Sequence, residues 1–387
     1  MRRLRLGQFA QVIIVGTIRS TLIFVLATVI EALAQSSSLE QAVRFAQEQR
    51  YAEARRVLEG SVEPEGITQR IAFHRLKAAI ASGLGETAAA ANEMRSALAL
   101  APGDAGLQTA TAAAELQAGL LDDAVAHAQG GAGTAVGQAL LGDIQEKRGQ
   151  YLEAVKAYQA AVALAPDREQ YRVALALELV QHHTFEPAIA VLEQAAPRFP
   201  KSARLRVLLG VAQYAAGRYE DAEAALTDAL DLAPELERVY GYLAQAALEA
   251  PSPPLERALK AICTREPVVC SALQSRSARE KGDAGLQALA VAALKRAPKN
   301  SAIARCELGK VYQAAAQWTE ARVEFEACVQ LDPSPQNHYR LGLVYNRLDL
   351  VELAQKQMEL RKTAEERKAG DTARRQNAVQ AFQYLIK

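Results

Sequence analysis

The feature that most limits what this chain can become is a period. Pro166, Pro200 and Pro234 are evenly spaced, and Leu209-Gly210 lies two of the same intervals after Leu141-Gly142. Between these marks Leu141 and Ile144, then Ala154, Val155, Tyr158 and Ala161, recur at three- and four-residue steps, so each half of the unit carries one apolar face of helical period. Gly149 ends the first helix because it can take the left-handed cap conformation, and Pro166 ends the second because it cannot continue one. A hairpin of this size cannot bury its own apolar face. Repetition at a fixed spacing lets each hairpin cover the next, which is the mark of a helical solenoid.

Several copies keep one register. One reads Leu209, Gly210, Gly217, Tyr219, Ala222, Leu226, Ala229 and Pro234. Another reads Leu308, Gly309, Tyr312, Trp318, Ala321, Phe325, Cys328 and Pro333, and a third Leu175, Ala176, Leu179, Phe185, Ala188, Leu192, Ala195 and Pro200. A leucine followed by a small residue, an aromatic near the turn, two small residues in the second helix and a closing proline resemble the tetratricopeptide repeat family. The resemblance implies an all-α fold, a right-handed superhelical solenoid of helix-turn-helix repeats with a concave groove lined by the first helix of each repeat. Small residues at Gly142, Gly210, Gly309 and Gly342 are expected to let backbones approach closely.

The repeats vary in quality along the chain. Residues 35–134 hold degenerate copies, residues 135–236 the best three, residues 237–301 a loosened stretch in which Pro251-Ser-Pro-Pro254 replaces a turn, and residues 302–368 two good copies. That makes nine or ten repeats, and residues 369–387 read as a final capping helix with Val379, Phe382, Leu385 and Ile386 on one face. Gln129 to Gly133 is glycine-rich, readable as an exposed turn or as a hinge between two packed blocks. His182 and His183 take the place of the usual turn glycine and read as solvated turn residues, since adjacent histidines point apart on a helix.

Residues 1–34 read as an export signal: Arg2, Arg3 and Arg5 give a basic start, Thr21 to Ile30 an apolar core, and Ala32-Leu33-Ala34 a small-x-small site with cleavage after Ala34. The protein is then expected to be periplasmic or secreted. The rival is an uncleaved membrane anchor, although the uninterrupted apolar run is only about half of the ~20 residues that span a bilayer. Setting aside the four arginines and one glutamate of this segment, the 45 basic and 44 acidic residues of the chain leave a slight acidic excess. A nucleic-acid partner would require a basic surplus that is missing.

The four cysteines all lie in the C-terminal part. Residues equidistant from a hairpin turn lie level with one another, which permits Cys263 to bond Cys270 across Glu266-Pro267 and Cys306 to bond Cys328 across Gln317. An export signal favours both bridges, and the competing reading is four small buried side chains. No CxxC pair points to zinc, no cofactor motif is present, and no phosphate-cradling glycine loop or nucleophile elbow is found, so the chain reads as non-catalytic.

By position in the resembling family, a partner groove would include Val173, Leu177, Val207, Val211 and Tyr214 in the central repeats. Toward the C-terminus it would include Glu307, Lys310, Tyr339, Leu343, Asn346 and Arg347. The first set is apolar and the second polar and basic, which suits a protein or peptide partner with a hydrophobic stretch beside an acidic end. Some family members grip carboxylates with a set of Lys, Asn and Arg that is not found here at matching positions. The function expected is a protein-binding scaffold that takes a partner peptide or helix in its groove. The alternatives are a structural subunit of an envelope assembly for secretion, polysaccharide export or the outer membrane, and an accessory to an enzyme. N-terminal sequencing of the protein from its producing cells is expected to begin at Gln35; a chain beginning at Met1 would leave the anchor reading in place.

Overall fold

The computed structural model describes residues 37–369, and the expected signal segment 1–34 and the expected terminal helix beyond Ala369 lie outside them. Among the described residues there are twenty helices and no strand: α1 (Ser37–Gln47), α2 (Tyr51–Glu59), α3 (Ile67–Gly83), α4 (Thr87–Leu100), α5 (Ala105–Ala118), α6 (Leu121–Gly130), α7 (Ala135–Lys147), α8 (Tyr151–Leu164), α9 (Glu169–Gln181) and α10 (Phe185–Ala195) come first. They are followed by α11 (Ala203–Ala216), α12 (Tyr219–Leu232), α13 (Glu237–Glu249), α14 (Glu256–Arg265), α15 (Pro267–Lys281), α16 (Ala284–Arg296), α17 (Ala302–Ala314), α18 (Trp318–Leu331), α19 (Pro335–Arg347) and α20 (Val351–Ala369). Odd and even helices alternate as the first and second members of successive repeats. The chain divides into two compact units between His182 and His183, so the division falls at the histidine pair and not at the glycine-rich turn after α6.

One backbone conformation closes nearly every repeat. Gln49, Gly85, Gly119, Gly149, His183, Gly217, Gly282, Ala316 and Asp349 all have positive φ, between 54° and 84°; eight sit between the two helices of a repeat that lies within one unit, and His183 follows α9 at the division of the units. A left-handed residue there lets the chain reverse and satisfies carbonyls at the end of the first helix, as when Gln150 N–H donates to Gln145 O at 2.8 Å. Four of the nine positions therefore carry a side chain that disfavours this conformation.

The one remaining repeat, α13 with α14, shows why the rule matters. Pro251 follows Leu243-Ala244 as Gly217 follows Leu209-Gly210, so it stands where the left-handed residue is due, and proline is locked at negative φ. The turn opens into residues 250–255 and is held by other means. Arg276 on α15 donates to the carbonyls of Ala247, Ala250 and Ser252 at 3.1–3.2 Å, gathering the end of α13 under one guanidinium. Buried Glu223 on α12 accepts the Leu255 N–H at 2.5 Å at the start of α14, and burial raises its pKa against the opposing effect of that hydrogen bond.

Packing within the repeats is set by small residues. Ala154, Ala161, Ala188, Ala195, Ala222, Ala229, Ala321 and Cys328, two per second helix, are fully buried. The glycines of the first helices act differently from the close backbone approach expected of them. A Cβ on Gly142, Gly309 or Gly342 would lie 2.6–2.8 Å from the side chain of Tyr158, Phe325 or Met358, so the space they leave is filled by a large side chain of the second helix. Gly210 accommodates Leu226 and also shows the close approach expected, with the Ala222 carbonyl oxygen of the second helix 3.1 Å from where a Cβ would sit. Side-chain oxygens of Asp104, Thr134, Ser202, Ser301 and Ser334 cap the amino ends of α5, α7, α11, α17 and α19.

Both disulfides are present, Cys263–Cys270 joining α14 to α15 and Cys306–Cys328 joining α17 to α18, each with Cα atoms 4.9 Å apart. The lone tryptophan, Trp318, opens α18 at the turn of the same repeat, with the Arg347 guanidinium 5.7 Å above its ring. No described helix is long and apolar enough to cross a membrane.

The turn conformation can be tested in both directions. A Cβ on Gly149 would meet nothing within 4 Å, so Gly149→Ala is expected to destabilise by about 1 kcal/mol through backbone strain alone. Ala316→Gly is expected to stabilise by up to about 1 kcal/mol, since it removes the same strain. Urea unfolding of the two variants beside the parent measures both.

Candidate functional site

Inside the second unit the first helices of its last four repeats line a cavity of about 830 Å³. Leu248 from α13, Ala272 from α15 and Ile303 from α17 give it apolar surface. Cys306, Glu307 and Lys310 continue along α17 at helical spacing, Asn337 and Arg340 come from α19, and Ala364 of α20 and residues 332–336 complete the wall. The disulfide fixes α17 against α18 here. Asn337 Nδ2 lies 3.6 Å from Cys306 Sγ and donates to the Asp332 carbonyl at 3.0 Å and to its carboxylate at 2.8 Å, tying the turn before α19 to the cavity wall.

The charge of this cavity centres on Glu307, whose side chain is 5% exposed. Its Oε1 accepts a charge-assisted hydrogen bond from Arg279 Nη1 of α15, and its Oε2 lies 3.5 Å from Lys310 Nζ. Arg279 also donates to Ser275 Oγ at 3.0 Å, while Arg340 Nη1 donates to the neutral Gln313 Oε1 at 3.3 Å. Three cations thus surround one carboxylate. Burial, aided by repulsion from Arg340 and Arg279 and opposed by Glu307, lowers the Lys310 pKa; burial, aided by Arg279 and opposed by Glu307, lowers that of Arg340. Glu249 and Asp332 are also on the wall.

Of the residues expected from sequence to line a groove, Glu307 and Lys310 lie in this cavity. Leu343 is half-buried, while Tyr339, Asn346 and Arg347 are exposed; the Arg361 guanidinium stacks 5.0 Å from the Tyr339 ring. Val173, Leu177, Val207 and Val211 are buried and pack inside their units, and half-buried Tyr214 meets Tyr219 edge-on. Sequence reasoning missed Arg340 and Arg279. Arg340 precedes Leu341-Gly342 as Glu307 precedes Leu308-Gly309, so it occupies the same place in the next repeat, a correspondence that would have found it.

A second concentration of ionisable groups lies in the first unit. Tyr158 OH of α8 donates to Asp143 Oδ1 of α7 at 2.6 Å. Glu146 joins from α7 and Glu178 from α9, with His182 Nε2 3.5 Å from Glu178 Oε1 and the His182 ring 4.1 Å from that of Tyr151. Burial pushes Asp143 up to about 7 against the Tyr158 hydrogen bond, with Glu146 adding to the rise and Lys147 opposing it. Burial, then Glu146 and Asp143, pushes Glu178 up to about 8; burial also raises Glu146. Among the described residues no group of three or more His, Cys, Asp or Glu side chains could hold a metal ion.

Comparison with known proteins places two stretches in one family. Residues 137–168 and 173–237 match profiles of the tetratricopeptide repeat. No curated protein matches the chain. Among solved structures, the C-terminal part of a repeat protein of this type from Cytophaga hutchinsonii is 16% identical, covering 76% of this chain and 95% of that one with a TM-score of 0.41. YrrB, described as a repeat protein with an unusual peptide-binding site, is 18% identical, covering 49% of this chain and 96% of its own with a TM-score of 0.37. A repeat protein from Parabacteroides merdae is 13% identical, covering 76% and 98%, with a TM-score of 0.39.

The buried carboxylates of the first unit give a signed pH effect. A carboxyl group whose folded pKa exceeds its unfolded value binds more protons when folded, so stability is full below the unfolded pKa and is lost as pH rises through the folded one. Thermal stability is therefore expected to fall between about pH 4 and pH 8. The combined Asp143→Asn and Glu178→Gln variant is expected to flatten that slope in melting curves taken across the range.

Proposed function

Tetratricopeptide repeats occupy residues 137–168 and 173–237 of this chain, and from that premise we propose that it is a non-catalytic scaffold that binds a partner protein. The binding place is the cavity of the second unit, which takes an extended segment of the partner across α13, α15, α17 and α19. One observation carries the reading: first helices of four successive repeats present apolar Leu248, Ala272 and Ile303 beside cationic Lys310 and Arg340 in one open cavity of about 830 Å³. Such a surface can bury an apolar side chain and pair an acidic one on the same segment. Its walls are helices fixed by a disulfide and by capped amino ends, so little order has to be gained on binding.

The protein acts outside the cytoplasm in this reading, as a periplasmic or secreted component. Support comes from the basic and then apolar N-terminal sequence ending in Ala32-Leu33-Ala34, together with two cystine bridges and no free cysteine among the described residues.

Site-specific photocross-linking in intact producing cells tests the proposal. A photoreactive amino acid at Ile303, which lines the cavity, is expected to trap a small set of partner proteins. The same group at Leu289 on α16, which is 71% exposed and outside the cavity, is expected to trap few or none. Equal labelling at both positions, or labelling only at Leu289, would overturn it.

A further inference from the structure

We propose that Glu307 tunes the cavity of the second unit to a partner segment that brings a single carboxylate side chain beside apolar residues, by acting as a built-in competitor for the cations around it. The inference rests on the groove reading above and adds the charge of its occupant. Its basis is one buried carboxylate paired with a cation of α15 and one of α17, with a third cation, Arg340 of α19, near enough to feel its charge. Glu307 spends one oxygen on Arg279 and the other on Lys310. Arg279 is further occupied by Ser275, so what faces the cavity is Lys310, partly neutralised, and Arg340, whose hydrogen-bond acceptor is a neutral amide.

Two carboxylates elsewhere on the wall sharpen the selection. Glu249 on α13 and Asp332 before α19 would repel an acidic run lying along the cavity, whereas one acidic side chain opposite Lys310 and Arg340 meets two cations that share a single carboxylate, Glu307. A dianion such as a phosphorylated side chain would find one full and one partial positive charge, with Glu307 within the same cluster. Burial lowers the pKa values of Lys310 and Arg340, and Glu307 opposes both shifts, as expected of a carboxylate shared between them. The same buried carboxylate that steadies Arg279 thereby sets how much negative charge the cavity accepts.

The experiment uses the full chain and three fluorescein-labelled, acetylated and amidated octapeptides of alternating leucine and serine, with a central glutamate, glutamine or phosphoserine. Fluorescence anisotropy is expected to show the parent protein binding the glutamate peptide about tenfold more tightly than the glutamine one, and the phosphoserine peptide no more tightly than the glutamate one. Glu307→Gln is expected to tighten the phosphoserine peptide about tenfold and place it first in the ranking. Because that change leaves Arg279 without its carboxylate, Arg279→Met serves as the second variant. It hands Glu307 wholly to Lys310 and is expected to weaken the glutamate peptide about tenfold, with the double variant returning near the parent. Parent binding with an unchanged ranking in Glu307→Gln and no loss in Arg279→Met would overturn the inference and leave the groove reading standing. Silence in the parent with phosphoserine binding gained in Glu307→Gln would overturn the preference for a single carboxylate and leave the groove reading standing. Silence in every variant would overturn both.

Discussion

A single left-handed residue between paired helices is the constraint on which the rest of this structure depends. It reverses the chain within a short turn, which brings the second helix back along the first and lets alanines such as Ala222 and Ala321 sit fully buried between them. Eight of the nine described repeats that lie within one unit meet the requirement, some with glycine and some with a residue that resists it. Where Pro251 makes it impossible, a guanidinium and a buried carboxylate from neighbouring repeats take over the unpaired backbone groups. The exception identifies the job: backbone carbonyls at the end of a helix and amides at the start of the next must be satisfied by something.

The candidate site inherits its geometry from this regularity. Because each turn returns the chain in the same phase, corresponding positions of successive first helices fall side by side, and Glu307 and Arg340 share one cavity although a whole repeat of sequence separates them. Ordinary side chains at repeated positions then form a cavity with a definite division between apolar and charged surface. The Cys306–Cys328 bridge holds that register at the repeat whose first helix contributes Glu307 and Lys310. The binding chemistry is thus a property of the stacking, with no residue specialised for it in isolation.

The sequence made the period and both cysteine pairings legible, because each is a matter of spacing along a helical hairpin. Burial was harder to read. Val173, Val207 and Val211 satisfy the helical apolar period equally well whether they face a partner or pack inside a unit, and the structure places them inside. Charge pairing was harder still, since Arg279 and Glu307 belong to different repeats and nothing local in either helix announces the other. The raised carboxyls of Asp143 and Glu178 were not visible at all. They depend on how three helices converge, and a lone acidic residue on a helix ordinarily reads as a solvated one.

The position of the lone tryptophan has a practical meaning for anyone watching this protein unfold. Trp318 lies in the second unit, at the turn of the repeat that carries the Cys306–Cys328 bridge and Glu307, with Arg347 over its ring. Intrinsic tryptophan emission is therefore a local reporter on that repeat and silent about the helices before His182, whereas far-ultraviolet dichroism weighs every helix alike. The two optical signals coincide only when both units melt together, so the difference between them measures the cooperativity of the chain without any label.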